Sequence, residues 1–266
     1  AGYADSSLSY HPYVDEVQQS TEMIDALEHV RLHAGNMGVD LSSKLFISGL
    51  SQGGYVAMAT HKALQAKGET VTASVPVSGP YAIGDFLDTV MAGYVNGGAP
   101  MFASMYLTAL EKAHNIYDSP NEVYAAAYAE DAENSLPKPE ASDSTDAGLP
   151  ATALFSAESQ PALPDGAYPL GYGADYLLSD AFRTQYLTAG GSTASNAGSK
   201  VRDLAHEADL QDWVPTAPVV MCGADNDPVV YHLNSNKMAA HWSALVTAGL
   251  VTNLDLTEAP SGSFAK

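Results

Sequence analysis

Cysteine is almost missing from this sequence: Cys222 is the only one in 266 residues. A single thiol cannot form an internal disulfide framework, and it cannot supply the clustered ligands of a Cys-based zinc site. Cys222 ends the strand-like run Val219–Cys222, and this position favours a small apolar side chain of the interior. The sequence therefore predicts neither a disulfide nor a metal site.

Positive charge and long apolar runs are also scarce. Lys and Arg number 11 against 31 Asp and Glu, which gives a net charge of -20. Such a field repels phosphate polymers and anionic lipid headgroups, so nucleic acid is not an expected partner. No apolar run approaches the roughly 18 residues that span a bilayer, and Ala1–Asp5 lack the basic start of a signal peptide. These patterns predict a soluble protein without a membrane span.

Strand and helix patterns alternate near the start of the chain. Apolar periodicity predicts a helix over Val14–Leu32, a strand over Leu45–Ser48, a helix over Tyr55–Ala66 and a strand over Val71–Val77. This order is typical of an α/β protein with a mainly parallel sheet flanked by helices.

The alternation stops between Gly84 and Leu210 and resumes after that segment. The middle shows helical stretches over Phe102–His114 and Asn121–Asp131 between Pro- and Ser-rich loops, which predicts an inserted, mostly helical cap. A strand over Val219–Cys222, a helix over Asn234–Ala248 and a strand over Val251–Leu256 follow. We therefore expect a core in two parts, residues 1–83 and 211–266, interrupted by a cap or lid over residues 84–210.

The most informative motif is Gly49-Leu50-Ser51-Gln52-Gly53, which lies between a predicted strand and a predicted helix. In hydrolases a nucleophilic serine lies on such a sharp turn. Bulky side chains two residues before and two residues after the serine would collide there, so glycine suits both positions. The motif predicts Ser51 as the nucleophile and the backbone N–H of Gln52 as a donor to the developing oxyanion. A similar run, Gly190–Ala194, has no strand before it and is interpreted as a loop.

A catalytic acid and a histidine should follow the serine in this arrangement, which completes a catalytic triad. Asp225 and Asp227 both come directly after the strand that ends at Cys222. We favour Asp227 as the acid, and the alternative is that both residues only solvate or cap the loop.

These residues give the sequence a resemblance to secreted bacterial esterases and lipases of the α/β-hydrolase superfamily, notably the LipA-type cell-wall-degrading esterases. Three stretches carry it: Gly2–Tyr13, Leu45–Tyr55 and Pro218–Asn234. The resemblance implies an α/β-hydrolase fold with Ser51 as nucleophile and Asp227 as acid. It also implies hydrolysis of a small-molecule or glycolipid-like carboxylic ester in a secreted or periplasmic setting, with no metal or organic cofactor.

The sequence departs from this family at both ends. Only 50 residues precede Ser51 where the family has over a hundred, and no histidine follows the strand Val251–Leu256. The sequence therefore predicts a chain truncated at both ends, with the catalytic histidine and the second oxyanion donor supplied from outside it. His11 and His232 remain as alternative bases. Two alternative functions also stay open, namely a peptidase of the same fold and a catalytically silent binding protein.

Overall fold

The computed structural model describes residues 1–136, 143–162, 171–189 and 195–257. These residues form two compact units. One unit contains residues 14–82 and 209–266, and the other contains residues 1–13 and 83–208. The domain boundaries drawn from the sequence stay a prediction.

Six strands and eight α-helices are described. The strands are β1 (Phe46–Leu50), β2 (Ala73–Val77), β3 (Phe155–Ser156), β4 (Tyr172–Gly173), β5 (Val219–Gly223) and β6 (Val251–Asp255). The helices are α1 (Glu16–His33), α2 (Gln52–Ala66), α3 (Ile83–Ala92), α4 (Ala99–His114), α5 (Asp180–Thr188), α6 (Ala197–Glu207), α7 (Leu233–His241) and α8 (Ser243–Thr247).

The unit of residues 14–82 and 209–266 is built on a four-stranded sheet with the order β1-β2-β5-β6. Every neighbouring pair in it is parallel, and Ser48 of β1 lies in register with Val75 of β2. Parallel strands need crossover connections, and helices supply them here. The predicted α/β architecture, a mainly parallel sheet flanked by helices, is confirmed.

An apolar cluster fixes α1 and α2 against this sheet. Ile24 of α1, Leu64 of α2 and Val71 are buried together, and partly buried apolar side chains surround them. Lys62 of α2 adds ion pairs to Glu16 at 2.8 Å and to Asp212 at 2.5 Å. These contacts hold α2 in one orientation, and the position of Ser51 depends on that orientation.

The helical region that follows the acid loop is not continuous. The sequence predicts one helix over Asn234–Ala248, but α7 ends at His241 and α8 begins at Ser243. Between them Trp242 leaves helical geometry with φ -96° and ψ 30°. Its buried indole N–H donates to the carbonyl of Trp213 at 2.9 Å, and this tertiary bond accounts for the break.

The unit of residues 1–13 and 83–208 contains α3 to α6 and the short parallel pair of β3 and β4. The helix predicted over Asn121–Asp131 is wrong, because backbone groups of this segment form hydrogen bonds with residues distant in sequence. Ala125 N–H donates to the carbonyl of Leu177, and Ser179 N–H donates to the carbonyl of Val123. The run Gly190–Ala194 lies outside the described residues, as does part of the Pro-rich stretch.

Candidate active site

Ser51 occupies the turn between β1 and α2, in a backbone conformation that non-glycine residues rarely adopt. Its φ is 58° and its ψ is -124°. Residues held in such regions cost about 1–3 kcal/mol and persist only where their surroundings fix them. Ser51 N–H donates to the carbonyl of Val77 at 2.9 Å, while the Ser51 carbonyl accepts from Gly54 and Tyr55. The turn is therefore anchored to β2 on one side and to α2 on the other.

Two glycines make this turn sterically possible. A Cβ on Gly49 would lie 2.0 Å from the carbonyl oxygen of Gly53, and one on Gly54 would lie 2.7 Å from the carbonyl oxygen of Val77. The expected crowding at Gly53 is not found, because a Cβ there would meet no atom within 4 Å. The close approaches that require glycine are therefore at positions 49 and 54.

The hydroxyl of Ser51 is not used to cap α2. A serine at this position commonly accepts from the first turn of the helix, but Ser51 makes no such side-chain bond. Gln52 is the first helical residue, so its N–H lies at the positive end of the helix dipole. Ser51 and the Gln52 N–H are thus adjacent at a helix start that favours negative charge.

Asp227 lies in the loop after β5, where the sequence predicts the acid. One carboxylate oxygen, Oδ1, accepts from the N–H groups of Val229 at 2.9 Å and Val230 at 3.1 Å. The Asp227 N–H donates to the carbonyl of Ala224 at 3.0 Å. The carboxylate is therefore held in a fixed orientation by the turn that follows it.

Asp225, the other candidate acid, forms hydrogen bonds through its backbone N–H. Its N–H donates to Oδ1 of Asp255 at 3.1 Å and to the hydroxyl of Thr257 at 2.7 Å. Thr257 N–H also donates to Oδ1 of Asp255, and these bonds hold the pKa of the Asp255 carboxyl below its ordinary value. Hydrogen bonds to Asp255 and Thr257, at and after the end of β6, thus fix the position of the loop that contains both acids.

Ser51 and the acid loop lie at the same edge of the sheet. Ser51 follows β1 and the loop follows β5, and the carboxyl ends of parallel strands meet at one edge. The two strands are separated by β2, which at a spacing of about 4.8 Å places them roughly 10 Å apart. Ser78, which follows β2, donates from its N–H to the carbonyl of Cys222 at 2.7 Å and joins the strand ends.

His232 is buried on the β6 side of β5. Its ring nitrogens lie 3.4 Å from Oδ1 of Asn253 and 3.9 Å from Oδ1 of Asp255, and its ring packs beside Gly223. The strand β2 stands between β5 and the strand that leads to Ser51. His232 therefore contacts the end of β6, on the side of β5 away from Ser51.

His11, the other alternative base, belongs to the unit of residues 1–13 and 83–208. Its Nδ1 lies 2.8 Å from the carbonyl oxygen of Ala1. The rings of Tyr3 and Tyr13 lie against the His11 ring, with centroid distances of 5.2 Å and 6.0 Å. Within its unit, His11 is part of an aromatic cluster near the start of the chain.

Two residues near the serine turn were not singled out from the sequence. Ser78 has a φ of 44°, a second strained serine at this sheet edge. Tyr81 is fully buried, its ring fills the space beside Gly79, and burial raises the pKa of its phenol. The sequence predicts only that a strand ends at Val77, so the backbone strain at Ser78 had no sequence signal beyond its glycine neighbour.

No cluster of three or more metal-binding side chains occurs among the described residues. Cys222 is half-buried, and burial raises the pKa of its thiol. In the same parts of the chain, no helix combines the length and apolar character needed to cross a bilayer.

Comparison with known proteins gives matches among solved structures alone. No family model matches the sequence, and no curated protein matches it. The rice cell wall degrading esterase LipA from Xanthomonas oryzae is similar, with a TM-score of 0.77 and 24% identity over 96% of this chain. A candidate hydrolase from Legionella pneumophila has a TM-score of 0.74 and 19% identity over 96% of this chain. Candida antarctica lipase A in its closed state has a TM-score of 0.58 and 12% identity over 91%.

The chain spans only part of each of these proteins. It covers 61% of the LipA chain, 61% of the Legionella chain and 49% of the Candida chain. At these identities the likeness concerns the fold. The parallel sheet, the strained serine after β1 and these matches agree with one another, and the chain has the α/β-hydrolase fold.

Proposed function

We propose that this chain carries the nucleophile and the acid of a serine-dependent carboxylic-ester hydrolase, an esterase or lipase. The observation that carries the proposal is the backbone of Ser51, with φ 58° on a turn between a parallel strand and a helix. Strained backbone conformations persist only where the surrounding structure enforces them, and residues with such conformations are concentrated at active sites. The likeness to LipA and to Candida antarctica lipase A supports the ester as the substrate class.

The proposed reaction proceeds through an acyl-enzyme on Ser51. A general base removes the Ser51 hydroxyl proton while Oγ attacks the ester carbonyl, and the carbonyl electrons move to its oxygen. The Gln52 N–H stabilises that oxyanion at the start of α2. Collapse breaks the bond to the alcohol, which leaves with the proton, and water then releases the acid by the same steps.

Asp227 is the proposed acid, with the role of orienting the base and stabilising its charged form. The two N–H groups that bond Oδ1 fix the carboxylate in the loop after β5. Asp225 is fixed through its own N–H instead, and its side chain is exposed. The better-anchored carboxylate belongs to Asp227, and this difference supports the choice.

The catalytic histidine and the second oxyanion donor are proposed to come from polypeptide outside these 266 residues. His232, which follows Asp227 in the sequence, lies on the side of β5 away from Ser51. The chain covers 61% of LipA, so a large part of that protein has no counterpart here. By the same likeness we propose a secreted or periplasmic setting, a small-molecule or glycolipid-like ester as substrate, no cofactor, and a lid role for residues 84–210.

His232 contacts the end of β6 and not the Ser51 side of β5, and this placement favours a second candidate function, a catalytically silent binding protein of the same fold. A peptidase would use the same serine and acid, so substrate tests must include amides. The proposed ester hydrolase should turn over esters, whereas a silent binding protein should not.

The test uses the product of the complete gene and nitrophenyl esters of short and long acyl chains. We expect turnover that falls by at least 1,000-fold in Ser51→Ala, because the nucleophile is lost. Ser192→Ala, in the glycine-rich run that lacks a preceding strand, is the matched control and should keep the rate. Equal rates in Ser51→Ala and wild type would refute the proposal, turnover of peptide amides far above esters would identify a peptidase, and a folded protein without any turnover would identify a silent one.

A further inference from the structure

The side chain of Asp255, the last residue of β6, is bonded to the loop that contains the proposed acid. Its Oδ1 accepts from the N–H of Asp225 at 3.1 Å and from the N–H of Thr257 at 2.9 Å. The hydroxyl of Thr257 also accepts from the Asp225 N–H, at 2.7 Å. Asp255 and Thr257, at and after the end of β6, therefore hold one backbone N–H of the loop that follows β5.

These bonds favour the charged form of Asp255. The N–H of Thr257, followed by its hydroxyl and the N–H of Asp225, lowers the pKa of the Asp255 carboxyl below its ordinary value. The Nδ1 atom of His232 lies 3.9 Å from the same Oδ1, which is too far for a hydrogen bond. The carboxylate oxygen is thus used by backbone N–H groups at this end of the sheet.

One peptide unit connects these bonds to Asp227. The N–H of Asp225 and the carbonyl of Ala224 belong to the same peptide unit, which is planar, so the direction of one group fixes the direction of the other. The Ala224 carbonyl accepts from the N–H of Asp227 at 3.0 Å. Asp255 and Thr257 therefore determine, through this peptide unit, where the backbone of Asp227 is held.

The side-chain bonds of Asp227 give it a different kind of support. Its Oδ1 accepts from the N–H groups of Val229 and Val230, which belong to the same loop. These bonds orient the carboxylate relative to its own turn, but they do not fix that turn relative to the sheet. The bonds from Asp255 fix it relative to β6, the strand that neighbours β5.

We infer that Asp255 is a positioning residue for the proposed ester hydrolysis and acts on Asp227 through the peptide unit between Ala224 and Asp225. The inference rests on the proposed function, with Asp227 as the acid. Asp255 takes no part in proton transfer, because its role is to accept from backbone N–H groups. A displacement of about 1 Å at a catalytic group can cost on the order of 100-fold in rate, so loss of this support should be measurable as turnover.

Kinetics of Asp255 variants test the inference on the product of the complete gene, with a nitrophenyl ester as substrate. We expect Asp255→Ala to lower kcat by roughly 10- to 100-fold and to leave KM within about twofold, because the acid is displaced while substrate binding is not. Asp255→Asn keeps an oxygen that accepts from both N–H groups, so it should restore kcat to within about fivefold of wild type. Loss of less than about threefold in Asp255→Ala, or an equal loss in both variants, would overturn the inference.

Amide hydrogen exchange, measured by NMR, follows the same link without turnover. The N–H of Asp227 should exchange faster in Asp255→Ala than in wild type, because the carbonyl that it bonds is no longer held, and Asp255→Asn should restore slow exchange. Thr257→Val removes the hydroxyl acceptor and is the second variant, used if Asp255→Ala does not reach the wild-type thermal midpoint. Wild-type exchange of the Asp227 N–H in both Asp255→Ala and Thr257→Val would contradict the inference.

Two comparisons separate this inference from the proposed function. Asp25→Ala makes the same change at an exposed position of α1 and should keep the wild-type kcat and exchange. Ester turnover that is absent in wild type, or that persists in Ser51→Ala, would defeat the proposed function and the inference with it. Turnover that requires Ser51 and Asp227 but is unchanged in Asp255→Ala would overturn the inference alone.

Discussion

The backbone N–H of Ser51 donates to the carbonyl of Val77 at 2.9 Å, so the residue after β1 is tied to the last residue of β2. This bond and the two that the Ser51 carbonyl accepts from α2 hold a positive φ without a glycine. The strand pairing of the core thus sets the geometry of the turn directly. Changes to the turn should therefore be measurable both as stability and as activity.

Gly49→Ala should destabilise the protein, while Gly53→Ala should not. A Cβ at position 49 would lie 2.0 Å from a backbone oxygen, whereas one at position 53 would meet nothing within 4 Å. Forcing a methyl group into filled space costs roughly 1–3 kcal/mol or more. Replacement of glycine by alanine in a helix gains up to about 1 kcal/mol. Urea unfolding of both variants measures the difference, and equal losses would contradict the turn geometry.

Asp227→Asn should lower ester turnover by roughly 1,000- to 10,000-fold with little effect on stability. Asparagine keeps an oxygen that accepts from Val229 and Val230, so the loop is retained while the charge that supports the base is lost. Asp225→Asn is the matched control and should stay within about threefold of wild type. The reverse pattern, measured as kcat/KM on a nitrophenyl ester, would reassign the acid to Asp225.

His61 should make the free energy of unfolding depend on pH. Burial lowers the pKa of its imidazole from 6.5 to about 4, and its Nδ1 lies 2.9 Å from the hydroxyl of Ser74. The unfolded chain takes up a proton as pH falls below 6.5, but the folded chain does not until about 4. Stability is therefore complete above pH 6.5 and falls through this window, by roughly 3 kcal/mol at most.

His61→Gln tests this dependence, because glutamine does not titrate. We expect the difference in unfolding free energy between wild type and variant to shrink as pH falls from 7.5 to 4.5. Urea titrations at three pH values measure it. A difference that stays constant over this range would show that His61 does not titrate in that window.

Arg183→Lys should destabilise the unit of residues 1–13 and 83–208. The buried guanidinium donates to the carbonyls of Met91 and Ser159 and to the hydroxyl of Tyr172, and it lies 4.3 Å from the ring centroid of Phe155. Lysine cannot reproduce this planar arrangement. Since hydrogen bonds to charged groups contribute about 1.5–3 kcal/mol each, we expect a loss of roughly 2–4 kcal/mol.

Arg31→Lys provides the comparison for that substitution. Arg31 pairs with Glu69 on the surface, where its side chain is 43% exposed, and such pairs contribute about 0–1 kcal/mol. Thermal unfolding of the two variants should therefore separate them clearly. Similar midpoints would mean that the Arg183 contacts add little to stability.

The order of strand-like and helix-like runs in the sequence predicted the parallel sheet, although two of the apolar residues used to predict α1, Val17 and Val30, are exposed in the structure. The helix over Asn121–Asp131 was wrong because its backbone bonds to Leu177 and Ser179, which are distant in sequence. The break at Trp242 likewise depends on a bond to Trp213. Contacts between segments far apart in the chain leave no periodic signal, so such deviations required the structure.

The serine motif predicted the position of the turn but not which glycines it needs. The structure requires glycine at positions 49 and 54, and it leaves space at 53, where a Cβ would meet no atom within 4 Å. The strain at Ser78 and the burial of Tyr81 were not predictable, since both depend on packing around the ends of the strands. The assignments of Ser51, Gln52 and Asp227 as catalytic groups stay predictions.

The proposal that Ser51 is the nucleophile is tested most directly by the site at which a fluorophosphonate probe modifies the protein. The product of the complete gene is incubated with the probe, digested, and mapped by mass spectrometry, with Ser51→Ala as the control. We predict a single adduct on the peptide that contains Ser51 and none in the variant. An adduct on another serine, or a correctly folded protein that gains no adduct, would contradict the account.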